Sequence, residues 1–222
     1  QAFQNDNFEA AAEAWREAAK GGEGGPGDAA AQYGLGFLYQ KGRGVEQNKA
    51  EAAKWYRKAV AQGHADAMFA LGRLYEKGEG VPENHFRARE LYEQASAIQP
   101  HAEAEYALGR LYFKGLGVPQ SYGDAITWYY KAARHGHPAA KHIMGDMYKA
   151  GWGVSKSFEE AWVWYKLAEQ HDLGIIRRYN KEFNPAKARR ELEEKMNKFE
   201  VEDARELLER REHEVPGPSA FP

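Results

Sequence analysis

The sequence predicts an all-α fold, a solenoid of stacked antiparallel helix pairs, and three observations predict it. A unit recurs four times, as LGFLYQKGRGV from Leu35, LGRLYEKGEGV from Leu71, LGRLYFKGLGV from Leu108 and MGDMYKAGWGV from Met144, and a fixed period of this length marks a repeat architecture. Within the unit the apolar residues follow helical spacing, with Ala31, Leu35, Leu38 and Tyr39 on one stripe. Each unit is also punctuated by a glycine doublet and a helix-capping residue at constant places.

The elements follow in order. Residues 1–27 read as the second helix of a partial repeat, NFEAAAEAWREAAK from Asn7 with Ala11, Trp15 and Ala18 in phase, followed by the glycine-rich linker GGEGGPG. Four repeats span 28–63, 64–100, 101–136 and 137–172. In each, a first helix, helix A, carries an internal glycine (Gly36, Gly72, Gly109, Gly145), which costs about 1 kcal/mol relative to alanine and so points to close approach by a neighbouring helix. Helix A stops at the doublets Gly42 and Gly44, Gly78 and Gly80, Gly115 and Gly117, Gly151 and Gly153.

Asn48, Asn84, Ser121 and Ser157 then cap a second helix, helix B, with Glu51, Asp124 and Glu160 placed as in a capping box and Arg87 as the exception. Helix B buries Ala52, Trp55, Tyr56 and Ala59 and their counterparts, and Trp15, Trp55, Trp128 and Trp164 are core by position. Residues 173–214 read as capping helices over the last repeat's open face, begun by Asn184 and Pro185 and by a second box of Asn197 and Glu200. The tail 215–222, VPGPSAFP, is expected to be disordered.

Composition bounds the function. Lysine and arginine number 31 against 33 acids in 222 residues, so no global field draws nucleic acid or an anionic membrane. The absence of cysteine excludes disulfides, thiolate metal sites and a cysteine nucleophile. No apolar run approaches the roughly 20 residues of a membrane span. His135, His137 and His142 invite a zinc reading, but His137 shares its repeat position with Asp28, His64 and His101 immediately before helix A, which is a capping place. No metal, no cofactor and no catalytic set is expected. Because the chain opens on Gln1 rather than Met, a native start removed by processing, a signal peptide included, is expected.

At these residues the chain resembles the Sel-one-like repeat (SLR) family, a relative of the tetratricopeptide repeats, whose unit reads A-x-x-x-L-G-x-x-Y-x-x-G-x-G-V followed by A-x-x-W-Y-x-x-A-A-x-x-G. The resemblance covers roughly Asp28 to Asp172. It implies a right-handed α-solenoid superhelix acting as a noncatalytic, monomeric adaptor for protein complexes. The ends are similar to those of exported bacterial members, which implies a periplasmic or secreted protein, with the cytoplasm as the alternative. Two rival functions stand beside it: an envelope protein binding glycan or peptidoglycan through the same aromatic groove, and a β-lactam-binding or hydrolysing enzyme as in cysteine-rich relatives of the family, whose paired cysteines are absent here. The sequence departs from the pattern at Ile98-Gln99-Pro100, where Gly63 and Gly136 close other repeats, and a local change of superhelical twist is expected there.

In such solenoids the concave surface is lined by helix A. The stripe opposite Leu35 and Leu38 is Ala30, Tyr33, Phe37 and Gln40, then Asp66, Phe69, Arg73 and Glu76, then Glu103, Tyr106, Arg110 and Phe113, then Ala139, His142, Asp146 and Lys149. The third place varies most in chemistry, as Phe37, Arg73, Arg110 and Asp146. Arginines and aromatics are common interface hot spots, and the two arginines suit a peptide or helix with acidic groups. The competing reading pairs those arginines with Asp66, Glu76 and Glu103, and packs Tyr33, Phe69 and Tyr106 into the core.

Overall fold

The computed structural model describes residues 8–21 and 26–213. The expected disordered tail and the middle of the glycine-rich linker lie outside them. All regular structure among the described residues is helical. The helices fall into two compact units divided between Gln120 and Ser121. The first holds α1 (Phe8–Lys20), α2 (Ala29–Lys41), α3 (Lys49–Ala61), α4 (Ala65–Lys77), α5 (His85–Ile98) and α6 (Ala102–Lys114). The second holds α7 (Tyr122–Arg134), α8 (Pro138–Ala150), α9 (Phe158–Ala168), α10 (Leu173–Arg177), α11 (Pro185–Glu193) and α12 (Lys198–His213). Helix A is thus α2, α4, α6 and α8, and helix B is α3, α5, α7 and α9.

The predicted punctuation is present. Gly78 closes α4 at φ 64, its N–H donating to the Leu74 carbonyl. Gly80 is left-handed at φ 71, and a side chain there would also meet the Lys49 backbone at 2.3 Å. The second glycine of the doublet therefore seats the turn on the start of the preceding helix B, and the Gly153 turn seats on Tyr122 in the same way. The glycine inside helix A makes room for a ring: a Cβ on Gly72 would lie 2.6 Å from Tyr92, and one on Gly145 would lie 2.5 Å from Tyr165.

The expected capping boxes of helix B form only halfway. The Asn48, Asn84 and Ser157 side chains accept the N–H of Glu51, Arg87 and Glu160. The return bond does not come from the acid, because the N–H groups of the three caps donate to the carbonyls of Tyr39, Tyr75 and Tyr148 at 2.9, 2.8 and 3.1 Å. With that donor already satisfied, an acid three residues on is dispensable, which is why Arg87 is tolerated. A complete box does close on α12: Asn197 N–H donates to Glu200 at 2.7 Å, and Glu200 N–H donates to Asn197 at 3.1 Å.

Two core assignments change. The fully buried aromatic of helix B is the tyrosine (Tyr56, Tyr92, Tyr165), whereas of the four expected core tryptophans Trp15, Trp55 and Trp128 are half-buried and Trp164 alone is buried. A long indole beside the tyrosine reaches the flank of the pair, where Lys58 lies over Trp55 at 4.0 Å. In α1 the buried residue one turn after Trp15 is Ala19, not Ala18, which is exposed. At the Ile98-Gln99-Pro100 junction α5 runs to 14 residues, and Gln99 turns the chain in extended geometry without a left-handed residue.

The C-terminal helices cover the last pair. α11 and α12 both pack on α9, burying Leu192 and Ala204 against Ala161, Trp162, Val163 and Tyr165. Trp162 donates to Glu193 at 2.6 Å, and Arg211 Nη2 donates to both carboxylate oxygens of Glu160 at 2.8 and 2.7 Å. The short α10, which the sequence did not separate from its neighbours, is anchored by fully buried Ile176 and packs on α8.

Candidate functional site

In the first, second and fourth repeats the first stripe residue with a ring belongs to an aromatic triad. Tyr33 lies 5.8 Å from Tyr56 of its own helix B and stacks at 4.9 Å on His64. Phe69 lies 5.6 Å from Tyr92 and 4.9 Å from His101. The histidines also act as helix caps. Nδ1 of His64, His101 and His137 accepts the N–H of Ala67, Ala104 and Ala140 at 3.3, 3.3 and 3.1 Å, closing the starts of α4, α6 and α8. Their position before helix A made the cap legible, but nothing in the spacing showed that the same ring stacks on the preceding repeat.

In the fourth repeat His142 fills the helix-A place and is only 4% exposed. It meets Tyr165 at 5.4 Å and Phe183, from the C-terminal segment, at 4.4 Å. His142 therefore does not lie on an open face. His137 is likewise buried, with Tyr179 at 4.5 Å. No group of three or more histidine and acidic side chains among the described residues is arranged to hold a metal ion.

The polar stripe residues receive the tyrosine hydroxyls. Tyr56 donates to Gln40 at 2.8 Å, Tyr92 to Glu76 at 2.8 Å and Tyr165 to Asp146 at 2.6 Å. Burial, reinforced at Tyr92 by Glu76 and at Tyr165 by Asp146, pushes these hydroxyls far above the usual phenol range, so they remain donors. Glu76 also accepts from Arg110, and Lys149 sits 3.3 Å from Asp146. The pairing expected as the alternative therefore holds for Arg110. Tyr106, half-buried, has its hydroxyl pushed up to about 12 by burial, with Arg110 opposing and Glu103 adding.

The remaining stripe residues lie differently. Arg73 is exposed, its guanidinium 5.8 Å over the Phe69 ring, and no ion pair holds it among the described residues. Asp66, also exposed, faces His101 Nε2 at 3.3 Å. Phe37 is half-buried with Arg43 at 6.0 Å, and Phe113 is half-buried at the end of α6. In the first unit the stripe thus carries an exposed arginine over the half-buried Phe69 ring, a surface that can take an anionic group against an apolar contact.

Comparison with known proteins agrees with this architecture. The family model described as the Sel1 repeat matches residues 29–64, 65–97, 102–137 and 138–173. A Sel1 repeat protein from Oxalobacter formigenes is similar at 30% identity and a TM-score of 0.69, over 92% of this chain and 82% of that one. A protective antigen present in uropathogenic Escherichia coli strains, displaying an SLR fold, is similar in fold at 23% identity and a TM-score of 0.52, over 88% of this chain and 50% of that one. Comparison with curated proteins finds no match. With four repeats matched over more than half of its length, and with its helix pairs built as described, this chain belongs to the Sel1 repeat family, whose members are generally noncatalytic scaffolds for protein interaction.

Proposed function

We infer that this chain is a monomeric, noncatalytic adaptor of the cell envelope that captures a protein or peptide partner on the helix-A face of its first unit. The observation that carries this reading is Arg73: exposed, lying over Phe69 and without an ion pair among the described residues, while its counterparts Arg110 and Asp146 are tied to Glu76 and Tyr165. An acidic side chain of the partner meets this guanidinium, and the half-buried Phe37 and Phe113 of the same stripe contribute apolar contact. Tyr33 and Phe69 each spend one ring face on a histidine, which weakens the glycan reading, since sugar stacking needs open rings.

Affinity capture with the full chain from its native compartment, followed by identification of what copurifies, supplies the partner. Arg73→Glu is then expected to abolish capture by charge reversal, with helicity and melting temperature unchanged because the side chain is exposed. Capture that survives Arg73→Glu in full removes this face as the site. The envelope location rests on the resemblance of the chain's ends to exported members, and the native N-terminus tests it: a cleaved leader supports the location, and an uncleaved cytoplasmic start overturns it.

A further inference from the structure

A cavity of about 330 Å³ lies within the second unit, where the segment after α10 passes over α8. That volume falls at the small end of ligand pockets. Its lining carries three carboxylates, Asp146, Glu182 and Glu191, against one cation, Lys187. Lys187 already lies 3.6 Å from Glu191, and Asp146 is met by Lys149. The Glu182 carboxylate has no ion pair among the described residues. Beneath the acids, His142 borders the cavity at 4% exposure, and its Nδ1 is buried without a hydrogen-bond partner. Phe183 supplies an aromatic wall.

A surplus of negative charge, a buried imidazole able to accept a hydrogen bond, and a ring at one wall together describe a receptor for an organic cation. We propose that this cavity binds the alkylguanidinium or alkylammonium group of a ligand, its N–H donors shared between Glu182 and Asp146 and its alkyl stem against Phe183. Burial pushes the His142 imidazole down, with Asp146 opposing, which keeps the ring neutral and accepting. The site lies on the second unit, offers charge of the opposite sign to Arg73, and does not depend on the adaptor reading.

The test is calorimetric titration of the full chain with agmatine and cadaverine as free cations, and with an acetylated, amidated Gly-Arg-Gly peptide as a side-chain source. The His142 ring nitrogens are followed in parallel by ¹⁵N NMR. Saturable binding of a free cation, or of the peptide alone, with a shift of the His142 resonances supports the site, and the two arms separate a metabolite-like ligand from a peptide. Glu182→Gln removes one charge-assisted bond and is expected to weaken binding on the order of tenfold. Asp146→Asn, which retains an acceptor for Tyr165, is expected to do the same, and Arg73→Glu is expected to change nothing. Binding unaffected by both cavity substitutions, or no binding by any probe with the wild-type fold intact, overturns the proposal.

Discussion

In the second repeat the ring of Phe69 is bracketed by Tyr92 of its own helix pair and by His101, which also caps the next helix A. In the fourth repeat His142 has Tyr165 in the first role, but the residue at the capping place is Asp172, which caps α10 and has no ring. Phe183 takes the second role instead. Capping and stacking, joined in one histidine inside the array, are thus split between two residues at its end. The same shift appears among the acceptors, since the tyrosine hydroxyl is received by Glu76, fourth on its stripe, in one repeat and by Asp146, third on its stripe, in the other. Terminal repeats in solenoids need a substitute for the missing neighbour, and here the substitute extends to a single ring.

The largest expected effect comes from the residue that the two repeats share. Tyr92→Ala and Tyr165→Ala each remove a buried ring and its hydroxyl bond, and each is expected to cost about 3–5 kcal/mol in chemical denaturation. The Phe variants keep the ring and lose only the bond, at about 1 kcal/mol. If Tyr165→Ala proves mild while Tyr92→Ala is severe, the fourth repeat is not built as the second is.

Phe183→Ala is expected to cost about 2 kcal/mol, below the range for core phenylalanine because the ring is only half-buried. Hydrogen exchange should quicken in α8, and Phe183→His, which restores a ring, should recover part of the loss. Unchanged stability and exchange in Phe183→Ala would mean that the ring decorates the last repeat without closing it.

The sequence carried the helix pairs, their glycine turns and their caps because these depend on residues a few positions apart, where backbone geometry dictates the residue type. It carried Gly72 as a close approach without revealing its partner, since the Tyr92 ring lies 20 positions away. The candidate stripe was legible as a face and illegible as a binding surface. Projection on a helical wheel places Arg73 and Arg110 alike, but only the three-dimensional neighbourhood shows that Glu76 holds one of them. His142 misled for the same reason: it stands where Tyr33 and Phe69 stand, and what buries it is Phe183, from a segment with no repeat register to align.

The smallest effect is the response of the fourth repeat to acid. Burial, opposed by Asp146 and aided by Lys149, lowers the proton affinity of His142 in the folded state, whereas in the unfolded chain a histidine titrates near its ordinary value of about 6.5. Below that value the unfolded chain binds the proton that the folded chain refuses, so stability is lost as the pH falls, and the loss levels off once the folded-state group titrates too. One proton limits the slope to about 1.4 kcal/mol per pH unit. His171, also pushed down by burial, adds a slope of the same sign, so the informative quantity is the difference between wild type and His142→Phe in denaturation midpoints from pH 7.5 to 5. The wild type should lose stability faster on acidification. Parallel curves would place the His142 imidazole in contact with water, and the triad of the fourth repeat would then be open where that of the second is closed.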